Sequence, residues 1–309
     1  MPSLARSEEV AVTAAGPETT PGDPPTERAG SPTALRIVLG AHLRRLREAA
    51  EISRHEAGYS IRNSESKISR LELGRVSLKE RDVADLLTLY GVADEEQRTA
   101  FLDMVKRSNE PGWWHRYGDL LPDWFHDYIG LEEDATRILT YEQQFVPGLM
   151  QTEAYARAIA SHGRPELGGK EIDRRVALRM QRQTVLARPG APRLWAVIDE
   201  SVLHRPIGGR DVMLAQVECL LELTRKPQVT LQVVPFRLSG YAAEGSFTML
   251  RFSEPELPDL VYIEHLIGAL YLDKPVEIEL YSRVFDRLTV DAETPANTRQ
   301  LLLKLRAEM

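Results

Sequence analysis

From residue 34 the apolar positions Leu35, Val38, Leu39, Leu43 and Leu46 recur at steps of three and four, with His42 on the same stripe. This is the period of a helix that lays one face on a core. Ser53, followed three residues later by Glu56, forms a capping-box pair that predicts a short second helix. Ser64 caps a third helix, which Gly74 stops, and two more helices are predicted over residues 79–90 and 94–107. Ahead of this pattern, residues 1–33 hold Pro17, Pro21, Pro24, Pro25 and Pro32 among Gly, Thr, Ala and Glu. So few large apolar residues cannot offset chain entropy, so the segment reads as a disordered tail. The pattern therefore predicts an all-α domain over residues 34–110.

After Asn109 the texture changes. Trp113, Trp114, Tyr117, Trp124, Phe125 and Tyr128 crowd into one stretch, followed by helical periods over 131–141, 152–161 and 171–187. The period then switches to two, with strands predicted over 194–198, 229–234, 246–252, 260–264 and 269–272. A long helix over 212–224 follows the first strand, and two helices, 276–288 and 296–307, close the chain. The later strands are joined by stretches too short for crossover helices. This favours antiparallel pairing and an α+β domain with a mostly antiparallel sheet over 111–309. A chain of 309 residues has room for two such units.

Composition narrows the class. A chain with 43% hydrophobic and 28% charged residues is globular, and no stretch reaches eighteen consecutive apolar residues. The first thirty residues lack the basic-then-apolar order of a signal peptide, so no membrane partner and a cytoplasmic location are expected. Cys219, the single cysteine, falls in the apolar period of 212–223 and is expected to fill core space. The net charge of −7 hides a local footprint. Residues 34–81 hold eleven Lys or Arg against six Asp or Glu, a local +5 that leaves the rest at −12. Such an excess suits the neutralisation of backbone phosphates.

Signals for catalysis are weak. None of the seven histidines pairs at the four-residue spacing of a helical metal site, and one cysteine offers no thiolate cluster. Residues 163–170 imitate a phosphate loop only superficially, because Arg164 stands where glycine is needed and Glu171 where Ser or Thr is needed. No Gly-x-Ser-x-Gly elbow occurs. No catalytic residue, metal site or cofactor is expected, and the chain reads as a non-enzyme.

The segment ISRHEAGYSIRNSESKISRLELGR, residues 52–75, holds the parts of a helix-turn-helix in order. A capped short helix is followed by an Arg62-Asn63 turn and a second capped helix ending at glycine. Ile68 and Leu71 face the core, while Glu65, Ser66, Ser69 and Arg70 fall on the opposite face, free to enter a major groove. Arg70 suits a guanine edge, Glu65 a cytosine amino group, and the serines either role. Arg75 and Lys79, just past this helix, are candidate phosphate contacts. The competing view is that Arg44, Arg45, Arg62 and Arg75 are ordinary solvated charges on a bundle that binds protein.

Through SESKISRLELGR and the preceding LRRLREAAEIS, residues 34–91 resemble the phage-repressor-like, xenobiotic-response-element (XRE) class of helix-turn-helix regulators. The resemblance implies base contacts from Glu65, Ser66 and Arg70 and a recognition helix over 64–73. It also implies a phosphate contact from Arg54, where the helix N-terminus adds amide donors, and a structural ion pair between Arg47 and Glu72. Lys67 departs from the small polar residue common at its position and is read as a phosphate contact. Double-stranded DNA is thus the expected partner. A homodimer is expected too, because one short helix reads too few bases to select a site. The dimer contacts fall either on the fifth helix or in the C-terminal domain.

Segments such as PGWWHRYGDLLPDWFHDYIGLEEDATRILTYEQQFVPGLM and RLWAVIDESVLHRPIGG resemble the large C-terminal domain of antitoxin-like regulators abundant in actinobacteria. That resemblance implies work with a small partner protein. The alternative function is accordingly antitoxin-like: neutralising that partner, with DNA binding autoregulatory. Residues 113–128 read either as an aromatic belt for a ligand or partner, or as packing between domains, with packing favoured. Tyr141, Gln143, Gln144 and Gln151, around Pro147-Gly148, line a polar pocket or belong to a surface turn.

Overall fold

The computed structural model describes residues 30–237 and 245–309, so the expected tail lies outside the described residues as far as residue 29. Helix α1, Pro32–Ala49, begins earlier than its apolar stripe suggests, because Ser31 caps it by accepting from the Ala34 amide at 3.2 Å. Pro32 occupies the first turn, where its fixed φ and missing amide cost nothing. Four helices follow: α2 (Arg54–Ser60), α3 (Glu65–Glu72), α4 (Glu80–Leu89) and α5 (Glu95–Asn109). Leu39, Leu43, Ala57, Ile68, Leu71, Val83, Leu86, Phe101 and Val105 meet in their common core.

A 3-10 turn, Trp113–Tyr117, then leads into α6 (Asp123–Asp134), β1 (Arg137–Glu142), α7 (Glu153–Gly163), α8 (Gly169–Arg182) and β2 (Arg193–Asp199). After them come α9 (Ser201–His204), α10 (Arg210–Leu223), β3 (Val229–Val234), β4 (Phe247–Arg251), β5 (Leu260–His265) and β6 (Gly268–Leu272). The chain ends with α11 (Pro275–Asp291) and α12 (Pro295–Glu308).

One expected element changes type. The helix read over 131–141 stops at Asp134, and Arg137–Glu142 is instead a strand at the centre of the sheet. A strand covered on both faces need not alternate: Ile138 packs on one side, while Leu139 and Tyr141 pack on the other. The apolar run Ile138, Leu139 and Tyr141 therefore continued the period of the helix before it. The β-branched and aromatic residues in the run were the available correction.

The six strands are ordered β3-β2-β1-β4-β5-β6. β1 pairs in parallel with β2, and β2 with β3, the chain crossing over through α7 and α8 and then through α10. β1–β4, β4–β5 and β5–β6 are antiparallel, so the sheet is mostly antiparallel, as expected of an α+β fold. Tyr155, Met213, Val217, Leu220, Leu302 and Leu305 cover one face from α7, α10 and α12. Phe285 and Leu288 of α11 cover the other.

Helix α1 belongs to both units. Ala34 packs in the core of the sheet unit, and Leu35, Val38 and Leu39 pack among the helices. Thr33 sits so close to α6 that a Cβ on Gly130 would lie 2.7 Å from its hydroxyl. The Ser31 amide donates to Asp134 at 2.8 Å, and Arg36 and Arg45 form ion pairs with Asp127 (3.0 Å) and Glu256 (2.9 Å).

Candidate nucleic-acid interface

The site begins with two capped helices. Ser53 and Glu56 form the expected capping box: the Ser53 amide donates to the Glu56 carboxylate at 2.9 Å, and the Glu56 amide donates to the Ser53 hydroxyl at 3.1 Å. At the turn Arg62 takes φ +55°, and the Asn63 amide donates back to the Gly58 carbonyl at 2.8 Å. The Lys67 amide then donates to the Ser64 hydroxyl at 3.3 Å, starting α3. The helix ends where Gly74 takes φ +65°, a conformation that suits glycine.

Ile68 and Leu71 anchor α3 to the core, and α1 approaches it so closely that a Cβ on Gly40 would lie 2.5 Å from the Leu71 carbonyl. The same contact buries Glu72. Its carboxylate accepts from Arg47 Nε at 2.5 Å, the ion pair implied by the resemblance. It also accepts from Arg54 Nε at 3.0 Å. Arg54 stands at the first residue of α2, where a phosphate contact was expected, but its Nε is already held by Glu72. The carboxylate therefore fixes how this guanidinium is presented.

Glu65, Ser66 and Arg70 are exposed along one side of α3, Lys67 and Ser69 are half-buried, and Arg75 and Lys79 are exposed beyond it. Tyr59, not among the expected contacts, is 82% exposed on α2 one residue from its end. The inward Ala57-Gly58 pair beside it was the available signal. More telling is where basic charge remains uncompensated. Arg36, Arg44, Arg45, Arg47 and Arg54 all have carboxylate partners, three of them on α1 or α3 and two in the sheet unit. Among the described residues, the other six cations of this segment form no ion pair: Arg62, Lys67, Arg70, Arg75, Lys79 and Arg81. They run from the turn before α3 to the first turn of α4. The uncompensated part of the local charge thus lies on α3 and the segments flanking it, an arrangement suited to neutralising an anion.

The sheet unit carries a second polar cluster at the carboxyl ends of β1 and β5. Arg182 donates to Glu132 at 2.8 and 2.9 Å and lies over the Phe125 and Tyr128 rings. Arg179 donates to Gln151 at 2.8 Å. Burial pushes the Glu142 carboxyl up to about 7, with the hydrogen bond from Ser246 opposing and the charge of Glu264 adding to the rise. Of the four residues read as a polar pocket or a surface turn, Gln143 Nε2 donates to the Tyr141 hydroxyl at 3.1 Å, and the other two stand apart from this pair. Tyr141 is buried toward α11, Gln151 is buried and donates to the Val146 carbonyl, and Gln144 is exposed. The aromatic stretch packs: Trp114 and Tyr117 join Leu120, Ile129 and Leu178 in a small core, and Trp113 donates to Glu133 at 2.7 Å. Cys219 is half-buried on α10. Among the described residues no group of three or more His, Cys, Asp or Glu is placed to hold a metal, and no helix is long and apolar enough to cross a membrane.

Two families match the chain. One, described as a helix-turn-helix domain, covers residues 38–101 and supports a DNA-binding regulator. The other, described as a domain of unknown function (DUF5753), covers residues 125–304. No curated protein and no solved structure matches.

Proposed function

The chain belongs to the DUF5753 family, here preceded by a helix-turn-helix domain, and from that premise we propose that it is a sequence-specific, XRE-type transcriptional regulator. The observation that carries this reading is the set of six cations around α3 that form no ion pair among the described residues. In this reading Glu65, Ser66 and Arg70 touch base edges in the major groove, Ser69 supports them, and Lys67, Arg75 and Lys79 neutralise phosphates. Arg54 reaches a phosphate from its seat on Glu72. The protein acts in the cytoplasm as a homodimer on two half-sites and performs no catalysis.

Its sheet unit receives a signal, a small ligand or a small partner protein, and passes it to the DNA through α1. The packing of α1 in both cores supports that route, because a shift at α6 or at Glu256 moves the helix that holds α3 through Gly40 and Arg47. Selection of bound duplexes from a random pool tests the reading. One enriched motif, bound with an affinity that falls steeply with salt, is expected. Enrichment of no motif would sink it. The antitoxin-like alternative is favoured instead if a small protein co-purifies in stoichiometric amount and its removal leaves DNA binding unchanged.

A further inference from the structure

The two edges of the sheet are finished differently. Along β3 the link between α11 and α12 and the first turn of α12 close the edge: the Val233 amide donates to the Thr298 hydroxyl at 3.2 Å, and the Glu293 amide donates to the Val233 carbonyl at 2.8 Å. Gln232 adds side-chain hydrogen bonds to the Thr289 and Glu293 carbonyls. At the opposite edge β6 pairs only with β5, and among the described residues no backbone group closes its outer side. Its sequence, Gly268-Ala269-Leu270-Tyr271-Leu272, contains no charge and no proline, the devices that normally discourage pairing at an edge.

The hairpin leading into β6 turns on Leu266 and Ile267, which are 99% and 87% exposed, and Leu270 in the strand is 48% exposed. Adjacent aliphatic side chains held fully in water beside an open strand edge mark an interaction surface. We propose that β6 pairs antiparallel with β6 of a second copy, joining two sheets into one and covering Leu266, Ile267 and Leu270. The proposal rests on the reading of the chain as a dimeric DNA-binding protein and supplies its interface.

Symmetry favours a second copy as the occupant. Antiparallel edge pairing is self-complementary, and its two-fold axis stands perpendicular to the sheet, so each face of one sheet continues as the same face of the other. α6 lies on one face beside β6, tied there by a hydrogen bond from the Tyr271 hydroxyl to the Trp124 carbonyl, and α1 packs on α6. Pairing through β6 therefore places both helix-turn-helix units on one face, close to the axis, as reading two half-sites of one duplex requires. With the axis at Leu270, Asp273 and Lys274 meet Ile267 and Leu266 of the second copy, and no like charges face each other.

Sedimentation of the full chain without DNA tests this. A mass of twice 34.9 kDa is expected. The variants Leu270→Lys and Leu266→Asp/Ile267→Asp, with circular dichroism unchanged, are expected to dissociate at least ~100-fold more readily and to lose cooperative binding to paired half-sites. A monomeric wild type, or variants that remain dimeric, would overturn the proposal. So would a wild type that pairs only with a different small protein. A β6-dependent dimer that enriches no DNA motif would leave this interface standing and sink the DNA-binding reading instead.

Discussion

In the proposed complex with DNA, side chains on α3 and just beyond it divide into readers and clamps, and the two kinds would respond differently to loss. Arg70 is exposed on α3 and makes no ion pair among the described residues, so Arg70→Ala should cost about 1–3 kcal/mol on the selected site and little on random DNA. Lys79→Ala should weaken both equally and reduce the salt slope by about one. Titrations on both duplexes at several salt concentrations separate these outcomes, and equal losses for the two variants would reject the division. Glu72 behaves differently because it is buried between two guanidiniums. Glu72→Ala leaves the buried Arg47 with only the Ile52 carbonyl at 2.9 Å and the longer contact to Glu48 at 3.4 Å, and should destabilise the fold by up to about 3–5 kcal/mol. Removing both charges, in Glu72→Leu with Arg47→Met, should recover most of the loss, as read by urea unfolding. The Arg47–Glu72 pair was legible through the family resemblance. The second claim on Glu72, by Arg54, was not, because eighteen residues of sequence separation hide the contact.

Among the elements, α1 packs in both cores, and one of its residues makes the stability of the fold pH-dependent. His42 accepts from Arg45 at 2.7 Å, and burial first and Arg45 second push its pKa down to about 4, against the pull of Glu256. The fold thus holds the neutral ring. Its contribution is complete above the ordinary value near 6.5 and is lost as pH falls from there toward 4, amounting to at most about 3 kcal/mol. Urea midpoints between pH 7.5 and 4.5 should fall for the wild type and fall less for His42→Gln, which can still accept from Arg45. Parallel curves would exclude His42 as the cause. Elements with caps or clean alternation were legible: the Ser53 and Ser64 caps and the strand Val229–Val234 stand where the pattern put them. β1 was not, because a strand buried on both faces loses the period of two that identifies strands.

At the scale of the whole molecule, the question is whether the DNA-binding helices and the sheet unit unfold as one body. All four tryptophans, Trp113, Trp114, Trp124 and Trp195, lie outside the helix-turn-helix. Tryptophan emission therefore reports the sheet unit and its aromatic core, while DNA would bind some distance along the chain at α3. If α1 were a loose tether, DNA would leave the tryptophan-detected transition where it was. Yet α1 contributes Ala34 to one core and Leu39 and Leu43 to the other, and its N-terminal cap is hydrogen-bonded to Asp134. Unfolding the sheet unit strips support from the helix against which α3 is packed. The selected duplex at about 100 times its dissociation constant stabilises the folded state by about 2.7 kcal/mol. In a cooperative unit of this size that should raise the tryptophan-detected midpoint by roughly 4–5 °C. An unchanged midpoint with DNA demonstrably bound would show that the two units melt independently, and that α1 transmits no signal between them.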